Sequence, residues 1–216
     1  MNPIDQNEIV FEQEAHRYSL RGVQYPSVSQ IIRDAGLGQD FSMVPPLVME
    51  EAQRRGRKVH LACQYYDEGI LDINTVDDTI KGFVFAYIRF REDCKIKPID
   101  IEKPLLCNRL KYAGTPDLVC WISGKRAIID RKTAQTMSPS MGLQTAGYKI
   151  LRESLFPKEF MAERYGLRLQ SNEKYKLFPH DRTEDLLAFR DCLELSKSKT
   201  RVDEWRGFYG ISDGKK

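Results

Sequence analysis

The sequence predicts an α/β domain in which a central mixed β-sheet is flanked by helices, with a helical extension at the N-terminus. Three observations lead to this prediction. Apolar residues recur at helical spacing over residues 47–67 and 77–92. Short apolar or alternating runs, bounded by turn residues, follow between residues 99 and 133. A length of 216 residues, with 41% hydrophobic and 30% charged residues, suits one domain with a sizeable core.

The N-terminal part, residues 1–95, is predicted to contain a strand pair and helices. The strands are expected at residues 9–11 and 16–20, and the helices at residues 31–35, 47–67 and 77–92. Arg21 and Gly22 close the strand pair. Ser27 and Gln30 have the spacing of a capping box, which predicts that a short helix starts at this point.

The second part, residues 96–200, is predicted to carry the sheet and the chemistry. Strands are expected at residues 99–102, 105–110, 114–122, 126–133, 164–169 and 174–178, and helices at 138–154 and 183–198. A turn at residues 123–125 joins two strands of a three-stranded antiparallel meander. Residues 207–216 are expected to form a flexible tail.

Composition excludes several classes of protein. The longest apolar runs are far shorter than the roughly 20 residues that a membrane helix needs. The first eight residues have no basic and apolar signal-peptide pattern, so a cytoplasmic protein is expected. The net charge of +3 is too small by itself to identify a nucleic-acid partner.

The cysteines do not suggest a covalent or metal framework. There are five, an odd number, and no two of them form a C-x-x-C pair. Neither a disulfide scaffold nor a zinc or iron–sulfur clip is therefore expected. We expect reduced and largely buried side chains.

The strongest candidate for chemistry is a group of charged residues on neighbouring strands. Asp130 and Lys132 share one face, because alternate residues of a strand point the same way. The hairpin brings Asp117 beside them, and Glu102 comes from the strand before. Carboxylates about 4 Å apart repel by about 4 kcal/mol per pair at an effective dielectric of 20. A hard divalent cation such as Mg²⁺ or Mn²⁺ relieves that repulsion. For Asp130 and Lys132 alone, a surface ion pair is the simpler alternative.

A basic run lies upstream of this group, at Arg54, Arg55, Arg57 and Lys58. Such a run is usually a solvated face. It is also typical of a track that contacts nucleic-acid phosphates, and its closeness to His60 favours the track. Both interpretations remain open at this point.

Taken together, these motifs resemble those of the PD-(D/E)xK nuclease superfamily, and specifically the phage-type members of its RecB-like exonuclease branch. The residues that carry the resemblance are Glu102, Gly-Thr-Pro-Asp at 114–117, Ile-Ile-Asp-Arg-Lys-Thr at 128–133, Gln-Thr-Ala-Gly-Tyr at 144–148, and the segment 55–60. The segment 16–29 is similar to the start of phage-type members. The resemblance extends over residues 11–195 and implies a restriction-endonuclease-like core.

The resemblance also implies roles for individual residues. Asp117 and Asp130 would ligate Mg²⁺ or Mn²⁺, with His60 and the backbone carbonyl of Arg131 completing the shell. Lys132 would position or activate the attacking water, and Glu102 would help to bind the metal or the water. Gln144 and Tyr148 would hold the DNA strand near the cut, and the basic run of Arg54, Arg55, Arg57 and Lys58 would contact its backbone. Arg131 departs from the family, because this position is often apolar or aromatic. The four-cysteine spacing of iron–sulfur members is missing, so no cluster is expected.

The implied function is a metal-dependent DNA exonuclease of phage recombination or DNA repair. A structure-specific or site-specific endonuclease with the same chemistry is one alternative, and an inactive DNA-binding module is another. DNA is the implied partner, with a single-strand annealing protein or a helicase as a further one. No membrane partner is expected. The sequence leaves the digestion polarity, the strand preference and the oligomeric state open.

Overall fold

A computed structural model of the protein describes residues 6–12 and 15–208. Five helices lie within them: α1 (Val28–Asp34), α2 (Pro46–Asp67), α3 (Asp78–Asp93), α4 (Met141–Leu155) and α5 (Glu184–Phe208). The strands are β1 (Ile9–Glu12), β2 (Arg17–Leu20), β3 (Val23–Tyr25), β4 (Lys97–Ile101), β5 (Leu105–Cys107), β6 (Tyr112–Gly114), β7 (Leu118–Ile122), β8 (Lys125–Lys132), β9 (Glu163–Leu169) and β10 (Tyr175–Pro179).

The centre of the fold is a five-stranded sheet with the order β10-β9-β8-β7-β4. Strands β8 and β9 run parallel and the other pairs antiparallel, so the sheet is mixed. Consecutive residues of β8 serve opposite faces: Ile129 packs with α2 and α3, whereas Ile128 packs with α1, α4 and α5. Helices therefore cover both faces, which confirms the predicted fold class.

Two smaller sheets lie beside the central one. Strands β1, β2 and β3 form an antiparallel sheet, where the sequence had predicted only a strand pair. Strands β5 and β6 form a separate hairpin between β4 and β7, so the predicted meander is wrong in that β4 pairs directly with β7. The physical reason is burial: all three residues of β5 are buried, and its Leu106 packs under the N-terminal sheet with Tyr18.

The helix ends agree with the sequence at some points and differ at others. The Ser27 hydroxyl accepts a hydrogen bond from the Gln30 backbone N–H at 3.1 Å, as the capping-box spacing predicts, and α1 begins directly after it. Helix α5 continues to Phe208, ten residues beyond the predicted end, because polar helix formers follow without Pro or Gly until Gly207. Gly207 and Phe208 of the predicted tail thus belong to α5, and residues 209–216 lie outside the described part.

Helix α4 is fixed closely against its neighbours. A Cβ on Gly147 would lie 2.7 Å from the Phe189 ring of α5 and 2.8 Å from Val28 of α1, so only glycine permits this approach. The Tyr112 hydroxyl donates to the Gly147 carbonyl at 2.8 Å. These contacts determine which face of α4 turns toward the sheet edge.

Two further findings concern the predicted class. Within the described ranges, no helix is long and apolar enough to cross a membrane. All five cysteines are free, and only Cys94 is not fully buried.

Candidate functional site

A cleft of about 460 Å³ opens where β7 begins and β8 ends, between helices α2 and α4. The residues at its floor and walls include His60, Glu102, Asp117, Asp130, Lys132, Gln144 and Tyr148. We call it the acid cleft. It brings together all four residues predicted to be catalytic, together with the predicted histidine and the two predicted helix residues.

At its floor lies a compact group of His60, Glu102 and Asp117, whose ligand atoms lie within 4.8 Å of one another. The Nδ1 atom of His60 is 3.2 Å from Glu102 Oε1 and 3.6 Å from Asp117 Oδ1. Its Nε2 atom is 3.1 Å from the carbonyl oxygen of Arg131. Both imidazole nitrogens therefore face oxygen atoms, and the predicted backbone carbonyl points at the same group.

The strand register places Asp117. Leu118 pairs with Ile129, so Asp117 lies at the height of the residues that end β8. Its Oδ2 atom accepts a hydrogen bond from the Arg131 backbone N–H at 2.5 Å. Glu102 donates its own backbone N–H to the Asp117 carbonyl at 3.2 Å and has a φ of 43°, in the left-handed region. A residue other than glycine loses about 1 kcal/mol of stability in this backbone conformation. Such strain is often found at functional sites.

Asp130 and Lys132 lie beside this group on the same face of β8. Lys132 Nζ is 2.5 Å from Asp130 Oδ2, and Asp130 is fully buried. Lys132 is the only described residue that forms an ion pair with Asp130, and the Oδ1 atom of Asp130 has no hydrogen-bond partner within the described part of the chain. Buried carboxylate oxygens rarely stay in that state, which indicates that a cation or water belongs there.

The charges shift the pKa values of these groups. Burial alone would lower the pKa of His60, but the carboxylates of Asp117 and Glu102 outweigh it and raise this pKa. Burial raises the pKa of the Asp130 carboxyl. Burial would lower the pKa of Lys132, but the neighbouring Asp130 and Asp117 raise it. Lys132 is therefore an ammonium ion at neutral pH.

The opposite face of β8 carries Arg131, whose side chain is fully buried. Its Nη2 atom donates to Glu102 Oε1 at 2.6 Å and to the Asp117 carbonyl at 3.3 Å. Its Nη1 atom lies 3.6 Å from Asp67 Oδ2, and the guanidinium lies 5.2 Å from the Tyr87 ring centroid. The unusual residue of the motif is thus accommodated by protein partners behind the cleft.

The sequence analysis missed two of those partners, Asp67 and Tyr87, and it also missed Arg91, which pairs with Asp67. Tyr87 donates its hydroxyl to Asp67 Oδ2 at 2.5 Å, and Arg91 pairs with Asp67 Oδ1. We call Arg131 with these three residues the inner network. No sequence motif marks them, because they come from the apolar face of α3 and the end of α2.

The chemistry of the acid cleft fits a divalent cation. Glu102, Asp117 and Asp130 supply carboxylate oxygens, Arg131 supplies a carbonyl oxygen, and His60 supplies an imidazole nitrogen. Hard cations prefer this oxygen-rich set, and one nitrogen ligand is compatible with Mn²⁺. Asp130 is not part of the compact three-residue group, and its Oδ2 atom pairs with Lys132 Nζ.

The residues predicted to contact DNA are only partly brought together. Gln144 and Tyr148 lie one turn apart on α4, and Gln144 Nε2 donates to the Tyr148 hydroxyl at 3.0 Å. The basic run does not form one face. Arg57 lines the acid cleft, but Lys58 pairs with Asp77, Arg54 lies 3.9 Å from Glu51, and Arg55 lies elsewhere.

The fold is similar to that of a crystal structure from Eubacterium rectale that is described as a "putative exonuclease". The two chains are 12% identical with a TM-score of 0.50, and the match covers 85% of this chain and 74% of the other. The sequence matches no protein-family model and no curated protein. At this identity the similarity shows a shared fold, and the chemistry has to be argued from the acid cleft.

Proposed function

We propose that the chain is a metal-dependent nuclease that hydrolyses DNA phosphodiester bonds, with residues 1–216 acting as one nuclease domain. The observation that carries this proposal is the excess of carboxylates in an open cleft. Glu102, Asp117 and Asp130 meet there, and the buried Oδ1 atom of Asp130 lacks a hydrogen-bond partner within the described ranges. The assignment to the RecB-like branch of the PD-(D/E)xK superfamily is part of the proposal.

A bound Mg²⁺ or Mn²⁺ would act as a Lewis acid on the phosphoryl group. Asp117 and Asp130 would hold it, together with His60, the Arg131 carbonyl and Glu102. Arg131 donates its backbone N–H to Asp117 and its side chain to Glu102, so it orients both carboxylates. The chain thereby presents its acceptors in one arrangement before any substrate arrives.

Lys132 is proposed to act as a fixed positive charge at the scissile phosphate. Its raised pKa supports an electrostatic role over that of a general base. Negative charge on the phosphate oxygens increases in the transition state, and an ammonium ion at that position stabilises it. Gln144, Tyr148 and Arg57 line the same cleft and would hold the strand beside the cut.

The test is a nuclease assay with Mg²⁺ or Mn²⁺ on linear DNA and on covalently closed circles of the same sequence. An exonuclease degrades the linear DNA and leaves the circles intact. Cutting of closed circles into fragments would favour the endonuclease alternative. Asp117→Asn serves as the control for contaminating nuclease, and binding of DNA without hydrolysis by the unmodified protein would favour the inactive module. A role in phage recombination or DNA repair, with an annealing protein or a helicase as partner, belongs to the exonuclease proposal.

A further inference from the structure

A second cleft of about 500 Å³ lies beside the acid cleft, on the other side of the wall formed by α2 and the end of β8. Consecutive residues divide between the two clefts. Gly56 and Lys132 line the acid cleft, whereas Arg55 and Thr133 line the second one. Because consecutive Cα atoms are about 3.8 Å apart, the two clefts are neighbours along the same wall.

The second cleft is positively charged. Arg55 and Arg168 line it, together with the amide side chains of Gln135 and Gln170, and none of the described residues that line it is acidic. Neither guanidinium forms an ion pair with a described residue. Thr79, at the rim, already bonds to Asp77, whose other oxygen is occupied by Lys58.

The two guanidiniums also keep unused donors. The Nε atoms of both Arg55 and Arg168 are buried and cannot reach a ligand in the cleft, but within the described part of the chain neither Nη atom of Arg55 forms a hydrogen bond, and Arg168 uses only Nη1. Arg55 lies 5.6 Å from the Phe83 ring centroid, and Arg168 donates from Nη1 to the Gln135 carbonyl at 2.6 Å. Two half-buried arginines with free donors and no carboxylate form the arrangement that binds phosphate groups.

We propose that the second cleft is a phosphate subsite for the nucleic-acid strand whose scissile phosphate lies in the acid cleft. Arg55 and Arg168 hold a backbone phosphate a few nucleotides from the cut, and Gln135 and Gln170 add neutral donors. The identity of the ligand rests on the proposed function. The positive charge and the free donors do not depend on it.

The two clefts have different roles along the bound strand. The acid cleft is rich in carboxylates and repels the backbone unless a cation is present, whereas the second cleft attracts phosphate without one. Arg55 thereby receives a role distinct from that of Arg57, two residues away on the same helix. Arg55 and Gly56 are consecutive in sequence but line different clefts, and the same holds for Lys132 and Thr133.

The decisive experiment measures binding of a fluorescein-labelled oligonucleotide by anisotropy, with Ca²⁺ as the cation and over a range of salt concentrations. Arg55→Gln should weaken binding about tenfold or more, because a hydrogen bond to a charged group is lost. The slope of log K against log salt should become shallower by about 0.7 for a single strand, as one phosphate contact is removed. Arg168→Gln should act in the same direction.

Arg126→Gln is the matched control, because it removes the same charge at the other end of β8, where Arg126 lies over Trp121. It should leave affinity and slope unchanged. Arg168→Gln also removes the bond to Gln135, so a thermal melt must accompany it, whereas Arg55→Gln breaks no hydrogen bond to a described residue.

Unchanged affinity and slope in Arg55→Gln would overturn the subsite, whether or not the protein hydrolyses DNA. Displacement of the oligonucleotide by micromolar inorganic phosphate, lost in Arg55→Gln, would overturn it too, because the cleft would then take free phosphate. Conversely, an Arg55-dependent salt slope in a protein that hydrolyses no DNA would support the subsite while the nuclease proposal fails.

Discussion

The two faces of strand β8 carry charges in opposite ways. On the cleft face, Asp130 is fully buried, and Lys132 is the only described residue that forms an ion pair with it. On the buried face behind the cleft, Arg131 and Arg91 pair with Asp67, and Arg131 also reaches Glu102 at the floor of the acid cleft. The Asp67 carboxylate is thus enclosed by two guanidiniums, whereas the three carboxylates of the acid cleft face only Lys132 and Arg57 among the described lysines and arginines that line it.

This difference separates residues that hold the site from residues that act in it. A buried ion network costs desolvation free energy and is tolerated only when its members are paired. An acid excess next to a cleft costs repulsion until a cation arrives. We therefore expect substitutions on the buried face to lower stability, and substitutions on the cleft face to act mainly on activity.

The largest expected effect belongs to the cleft face. Asp117→Asn should lower the turnover rate by about 10³-fold, since it removes charge from the proposed cation site. Titration calorimetry should also show that Mn²⁺ binding is lost. Asp78→Asn, the same change at an exposed carboxylate on α3, should alter neither quantity. Wild-type Mn²⁺ affinity in Asp117→Asn would remove this residue from the cation site.

A substitution on the buried face should mainly lower the stability of the protein. Arg131→Met should lower the free energy of unfolding by about 3 kcal/mol, because Glu102 loses its guanidinium partner and Asp67 keeps only Arg91 and Tyr87. Denaturant unfolding monitored by circular dichroism measures this. The control is Arg126→Met, where a half-buried guanidinium over Trp121 is lost, at less than about 1 kcal/mol. If both variants lost the same stability, the inner network would have no special role.

Lys132→Ala should act mainly on the reaction. The turnover rate should fall by about 10²-fold, because one fixed charge at the transition state is lost, while the DNA affinity changes much less. The unfolding free energy should fall as well, because the buried Asp130 loses its ion-pair partner. Lys132→Arg should rescue poorly, since a guanidinium is planar and bulkier than an ammonium. If the ion pair with Asp130 were only structural, Lys132→Ala would fold less stably and retain its turnover rate.

The sequence predicts the cleft face better than the buried face, and the reason is local geometry. Strand alternation alone places Asp130 and Lys132 together, and the hairpin register adds Asp117. The inner network depends on where α2 and α3 pack across the sheet, which no local pattern specifies. Arg168 was missed for the same reason, because its parallel pairing beside Lys132 joins segments far apart in sequence.

The basic run shows the opposite limit of prediction from sequence, because its residues are close in sequence but separated in the fold. Four adjacent cations look like one surface in sequence, but a helix turns about 100° per residue, so Arg55 and Arg57 point to different clefts. The β5–β6 hairpin is a similar case, because its buried residues resemble any short apolar strand until the N-terminal sheet covers them. In both cases tertiary packing decides what the local pattern leaves open.

The smallest expected effect is at the rim of the cleft face, where Tyr148 accepts the hydrogen bond from Gln144. Tyr148→Phe keeps the ring, which is mostly buried, and removes only the hydroxyl. A single neutral hydrogen bond is worth about 1 kcal/mol, so KM for DNA should rise about fivefold with kcat nearly unchanged. Tyr112→Phe is the matched control, because its hydroxyl bonds to the Gly147 carbonyl inside the protein, away from the cleft. It should lower the melting temperature and leave KM unchanged. If Tyr148→Phe lowered kcat instead of raising KM, Tyr148 would act on the reacting phosphate rather than hold the strand. Helix α4 would then contribute to the reaction itself, in addition to the residues on the cleft face of β8.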